Sequence, residues 1–187
     1  MQQLILIFLF IIFIVAFSNC DTTNTYNEQK DATVFFDKIS DITGRVKKKT
    51  VNFSNYFRAV APLAKSHSNY ELDKAKIDSL TTYYNSMANS LDNSITKLKH
   101  LKEFDKSFNT INLLITNYQI IKNGYDSTIP IYISVYKNGW TLSSPSQKET
   151  IMSASNILNR SYEASLPIID SFGKELTRFI KKYNIKY

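Results

Sequence analysis

Residues 77–101, IDSLTTYYNSMANSLDNSITKLKHL, decide the fold of this chain. Apolar side chains recur in this stretch three and four positions apart, which places them on one face of an α-helix. These side chains belong to Ile77, Leu80, Tyr84, Met87, Leu91, Ile95, Leu98 and Leu101. Lys97, Lys99 and His100 fall in the final turn, where the negative end of the helix dipole stabilises positive charge. The stretch predicts an amphipathic helix whose apolar face has to be buried against other helices.

The same spacing recurs in three further segments of the chain. One runs from about Lys30 to Ser66, one from about Phe104 to Asn138, and one from Ser144-Pro145 to about Tyr183. Ile39 lies on the apolar stripe of the first of these segments, and Leu166 lies on that of the last. Ser68-Asn69-Tyr70-Glu71 matches a capping box and predicts the start of the helix that contains residues 77–101. Four long helices joined by short connections pack most simply as an elongated antiparallel four-helix bundle. We therefore predict an all-α domain over residues 30–187.

Two prolines and one β-rich run complicate the helical interpretation. Pro130 and Pro167 lie inside predicted helices and predict a kink in each. Residues 129–136, IPIYISVY, are rich in β-formers and partly alternate, so a strand is the competing interpretation. A single strand with no visible partner would leave its backbone groups unpaired, and we therefore favour a helix.

The first twenty residues differ from all that follows. Residues 4–17, LILIFLFIIFIVAF, are fourteen apolar residues in succession, and residues 18–24 are polar apart from Cys20. As a helix, the apolar run would span about 21 Å, which is shorter than a membrane core of about 30 Å but typical of a signal peptide. We predict that residues 1–19 are an export signal.

Cys20 is the only cysteine and directly follows this signal. With Ala16-Phe17-Ser18-Asn19 before it, the arrangement resembles a bacterial lipoprotein signal with a relaxed lipobox. The resemblance implies that Cys20 is the acylated N-terminus, carrying diacylglycerol and an N-acyl chain, and that two or more such chains anchor the protein to a membrane of the cell envelope. Residues 20–29 are then a short polar tether.

Two alternatives to lipid anchoring remain open. Cleavage after Ser18 would release a secreted protein, because Ala16 and Ser18 are small where the ordinary signal peptidase requires small residues. A signal that is not cleaved would instead act as a membrane anchor itself.

The net charge of +7 does not by itself predict a partner. The lysines are scattered along the sequence, apart from the runs at residues 47–49 and 181–182. An exported protein is also separated from nucleic acid, so we predict no nucleic-acid partner.

The sequence contains no pattern that indicates catalysis or cofactor binding. His67 and His100 are the only histidines, and neither has a second ligand at zinc-compatible spacing. No P-loop, dinucleotide fingerprint or nucleophile elbow is present. We therefore predict no enzymatic activity, no metal and no cofactor.

Two functions fit these predictions. In the first, a lipid-anchored helical protein binds a partner protein or has an accessory structural role. Trp140, in a predicted loop after the third helix, is then the candidate contact residue unless it caps the end of the core. In the second, a secreted carrier encloses an apolar ligand in a gap opened at Pro130 and Pro167. Four tyrosines would line that gap: Tyr118, Tyr125, Tyr132 and Tyr136.

Overall fold

The computed structural model describes residues 26–60, 69–70, 74–137, 140–141 and 144–186. This part of the chain forms four helices, α1 (Tyr26–Val60), α2 (Lys74–His100), α3 (Thr110–Lys137) and α4 (Pro145–Lys182). Two strands of two residues each, β1 (Asn69–Tyr70) and β2 (Trp140–Thr141), accompany them. The predicted all-α four-helix fold is confirmed. The predicted export signal (residues 1–19) and Cys20 lie outside the described residues.

The helices follow an up-down-up-down order. Along the bundle, α1 packs against α2, α2 against α3, and α3 against α4. At one end β1 pairs antiparallel with β2, so that Tyr70 lies opposite Trp140. At the other end the Gln29 side chain donates a hydrogen bond to the Asn184 carbonyl at 2.8 Å, which joins the start of α1 to the end of the chain. We call these the distal end and the basal end.

Apolar side chains from all four helices form the core. The core contains large side chains that are almost fully buried, namely Phe53, Phe172, Phe179, Ile39, Leu80, Met87, Leu91, Leu98 and Ile129. Within the described ranges, the buried hydrophobic residues begin with Ala32 and end with Ile185.

The helix over residues 129–136 is confirmed. Buried residues occur in adjacent pairs along this run, and the spacing of the pairs follows the period of a helix rather than that of a strand. The pairs are Thr128 with Ile129, Tyr132 with Ile133, and Val135 with Tyr136. Pro130 lies inside α3 and Pro167 inside α4, and both helices are continuous through their proline.

Three helix starts differ from the predictions. α1 begins at Tyr26, within residues 20–29, where a flexible tether was predicted. The predicted capping box is wrong, because Asn69 and Tyr70 are extended and pair with β2 instead of opening a helix. Asn69 and Tyr70 pair through their backbones with Thr141 and Trp140, which are about 70 residues away in the sequence. This long-range pairing prevails over the local capping pattern.

The third helix begins at Thr110 and not near Phe104. Asp105 accepts a hydrogen bond from the Ser107 amide at 2.8 Å, and this local turn competes with a helix at that point. The Glu103 carboxylate then accepts hydrogen bonds from the amides of Thr110 (2.8 Å) and Ile111 (3.1 Å). Glu103 therefore caps α3 from outside the helix, and not from its first turn.

α3 and α4 approach each other closely through small residues. A Cβ placed on Gly124 would lie 2.6 Å from Cβ and Oγ of Ser161. Ala154 and Ser165 are buried on the same helix as Ser161, whereas Leu166, which we had predicted to be on the apolar stripe, is 42% exposed. The close approach rotates α4 so that small residues face α3 and part of its apolar stripe faces outward.

This close approach gives a stability prediction. Gly124→Ala should lower the free energy of unfolding by about 1–2 kcal/mol, because the added methyl overlaps Ser161 and overpacking outweighs the gain in helix propensity. Gly44→Ala, in a helix position with nothing within 4 Å, should raise it by about 0.5–1 kcal/mol. Urea unfolding followed by circular dichroism measures both, and an equal gain in the two variants would contradict the close approach.

Candidate functional surfaces

Aromatic side chains hold the basal end together. Phe35 of α1 lies 5.3 Å from Phe179 of α4 between ring centroids, and Phe104 lies 5.2 Å from Tyr183. Phe108 contacts Phe179 edge-on at 5.3 Å. α1 and α4 do not pack side by side along their lengths, so these rings join the first helix to the last.

Asp105 links the segment between α2 and α3 to the end of α4. Its carboxylate accepts hydrogen bonds from Lys182 Nζ at 2.5 Å and from the Tyr183 hydroxyl at 2.7 Å, in addition to that from Ser107. Lys182, followed by the Ser107 amide, holds the pKa of the Asp105 carboxyl well below its usual range. The carboxylate is therefore ionised at neutral pH and fully occupied by partners from its own chain.

A second polar cluster joins α2 to α3. The Tyr84 hydroxyl donates a hydrogen bond to Asp126 Oδ1 at 2.7 Å, and Lys122 pairs with the same carboxylate. Lys122 also lies 3.6 Å from Asp92 of α2. Burial and the hydrogen bond to Asp126 raise the pKa of Tyr84, so it remains a neutral donor. The cluster cross-links two helices and contains no activated nucleophile.

Two surface pockets are formed by described residues, and both are open to solvent. One of about 440 Å³ lies at the basal end between the start of α1 and residues 101–104. The other, of about 400 Å³, lies between α2 and α3 beside Pro130. None of the four tyrosines predicted to line a ligand cavity lines either pocket. Two of them pack against phenylalanines instead, with Tyr125 at 5.5 Å from Phe53 and Tyr132 at 5.1 Å from Phe57.

α4 exposes apolar side chains towards solvent. Met152 is 57% exposed and Leu166 is 42% exposed, and the two lie fourteen residues apart, on one helix face. Ile169 continues this face towards the basal end and is half-buried. These side chains form the outer face of α4, which is a candidate surface for contact with another protein.

The predicted site residues do not come together in one place in the described part of the chain. Cys20 and His67 are outside the described residues. His100 is exposed at the last residue of α2, and no three metal-ligating side chains of the described ranges converge. Trp140 lies in β2 at the distal end, where its backbone pairs with Tyr70, and not in an irregular loop as predicted.

No protein-family model, no curated protein and no solved structure matches this chain. None of the helices in the described ranges is both long enough and apolar enough to cross a lipid bilayer.

Asp105 gives a prediction for the pH dependence of stability. The pKa of the Asp105 carboxyl is lower in the folded protein than in the unfolded chain. The ionised carboxylate therefore stabilises the fold at pH values above the unfolded pKa of about 3.9, and this stabilisation is lost as the pH falls below that pKa. Asp105→Asn should lower the free energy of unfolding by roughly 1–3 kcal/mol near neutral pH, because the ion pair to Lys182 is lost. The difference from the wild type should shrink as the pH is lowered from about 5 towards 2.

Urea unfolding at several pH values measures this difference. Asp170→Asn is the matched control, because Asp170 pairs with Lys174 where both side chains are largely exposed. It should change the free energy of unfolding by less than about 0.5 kcal/mol. A deficit of Asp105→Asn that is independent of pH would show that the charge of Asp105 does not contribute.

Proposed function

We propose that this chain is a non-enzymatic lipoprotein of bacterial type, exported and held to a membrane of the cell envelope through acylated Cys20. Its helical bundle binds a partner protein or has an accessory structural role there. The position of Cys20, three residues after the end of the apolar run at residues 4–17 and six residues before the start of α1, carries this proposal.

The arrangement of the bundle supports the proposal. The start of α1 lies at the basal end, so an anchor at Cys20 would hold that end next to the membrane. α1 has 35 residues and is therefore about 52 Å long at 1.5 Å per residue. The distal end, with β1 and β2, would stand about that far from the anchored end. The bundle would thus act as a spacer that presents its far half away from the lipid.

Two features of this far half suit contact with another protein. The outer face of α4 begins near the distal end at Met152 and extends to Leu166, just past the middle of the helix. Trp140 belongs to β2 at the same end. Large apolar and aromatic side chains supply most of the binding free energy in protein interfaces. We propose that the partner protein contacts the distal end and the adjacent part of α4.

Anchoring is tested by Cys20→Ser in a bacterial host that processes lipoproteins. The wild-type protein should sediment with membranes, and its intact mass should correspond to a chain that begins at Cys20 and carries diacylglycerol and a fatty acyl group. Cys20→Ser should lose this added mass and move to the soluble fraction. The variant should remain helical, because the buried hydrophobic residues of the described ranges, from Ala32 to Ile185, are unchanged in it.

Two results would contradict lipid anchoring. A wild-type protein that is soluble and begins at Asn19 would indicate ordinary secretion. A Cys20→Ser protein that still sediments with membranes at its full length would indicate an uncleaved signal anchor.

Trp140 is the only tryptophan, so its fluorescence reports on that residue alone. If Trp140 belongs to a contact surface, we expect emission close to that of indole in water and efficient quenching by acrylamide. Urea unfolding should then shift the emission maximum very little. A blue-shifted, poorly quenched emission that changes strongly on unfolding would instead mean that Trp140 caps the core.

A further inference from the structure

Most of the net positive charge resides in two short segments. Residues 97–106 contain four lysines against Glu103 and Asp105, and residues 174–186 contain five lysines and arginines against Glu175. Together they hold six of the seven net positive charges of the chain. The two segments are about 70 residues apart in the sequence, yet the up-down-up-down order brings both to the basal end.

The acidic groups of these segments are occupied by partners within the protein. Glu103 accepts hydrogen bonds from the first amides of α3, and Asp105 pairs with Lys182. Glu175 pairs with Arg178 at 3.2 Å. Their negative charge is therefore directed at groups of the bundle itself.

Several lysines at the same end are exposed and form no ion pair with the described part of the chain. They are Lys99, Lys102, Lys106, Lys181 and Lys186. The first turns of α1 add Lys30 against Glu28 and Asp31, which lowers the local net charge by one. The basal end consequently carries a net charge of +5, and we call its five exposed lysines the basal lysines.

We propose that the basal lysines bind the anionic surface of the membrane to which the chain is anchored. The orientation rests on the proposed anchoring at Cys20, because the anchor decides which end of the bundle faces the lipid. Tyr26 is six positions after Cys20 in the sequence, and even a fully extended chain of that length reaches only about 20 Å. The anchor thereby confines the start of α1 to within about 20 Å of the lipid, so that the lysines at the basal end can approach the headgroups to within the Debye length of about 8 Å at physiological ionic strength.

The chemistry of the basal lysines suits a lipid surface. Lysine is a compact, strongly hydrated charge on a flexible stem, and it interacts with anionic headgroups without a fixed geometry. Each lysine near an anionic leaflet strengthens binding by roughly fivefold. Five such groups around one end of a bundle would hold that end against the lipid, so that the long axis stands away from the membrane.

The test measures binding of the chain from residue 20 onwards, with Cys20→Ser, to lipid vesicles by sedimentation. This chain retains all the buried hydrophobic residues of the described ranges, from Ala32 to Ile185, and carries neither the signal nor an acyl group. One set of vesicles contains phosphatidylcholine alone and the other contains phosphatidylglycerol as well. We expect binding to the second set only, and a loss of that binding as salt is raised.

A pair of charge-matched variants localises the contact. Lys106→Glu combined with Lys186→Glu should weaken binding to anionic vesicles by at least about twentyfold. Lys48→Glu combined with Lys49→Glu is the control, because these exposed lysines lie about 33 Å from the start of α1 and change the net charge equally. The control should bind within about twofold of the parent chain. Lys99→Gln combined with Lys181→Gln, a milder pair, provides a second basal variant whose fold is verified by circular dichroism.

Three results would overturn the proposal: no binding of the parent chain to anionic vesicles, equal losses in the basal and control variants, or binding to phosphatidylcholine alone that is insensitive to salt. The last of these would indicate apolar insertion and not lysine contacts. Failure of Cys20 acylation is detected separately by intact mass. Vesicle binding that requires the basal lysines would support the contact even if Cys20 carried no lipid.

Discussion

Long helices joined by short connections must run antiparallel, because a short connection cannot return the chain to the far end of a helix about 40–50 Å long. This constraint arranges the whole molecule. It brings Gln29 to Asn184 at the basal end and Tyr70 to Trp140 at the distal end. It also collects at the basal end the aromatic rings, Asp105 and the lysines that the proposals depend on. The two ends therefore differ in charge and chemistry although the helices between them are similar.

The fourth helix is held differently from the other three. Gly124 lets α3 approach Ser161 closely, and α1 reaches α4 chiefly through Phe35 and Phe179 at the basal end. Small residues on the inner side of α4 leave Met152 and Leu166 on its outer side. An apolar face that the bundle does not cover is the feature that distinguishes α4 as a candidate for contact with another protein.

Much of the fold could be predicted from residue spacing, and the sites much less so. Ile39, Leu80 and Leu98 are buried as predicted, because burial of apolar side chains requires one face per helix. The predicted start of α3 was wrong by six residues. The Glu103 carboxylate caps α3 from the segment between α2 and α3, and residue spacing does not specify the path of that segment. Leu166 was assigned to the core, but the Gly124–Ser161 contact determines the rotation of α4.

By itself, the sequence determined the helical class, the number of helices and the position of Cys20 shortly after an apolar segment, because these follow from local periodicity and order along the chain. Only the tertiary structure decided that lysines from residues 97–106 and 174–186 share one end. The same is true of the Asp105–Lys182 ion pair and of the outer face of α4. Such features depend on which distant segments meet and on how each helix is rotated, and apolar spacing alone specifies neither.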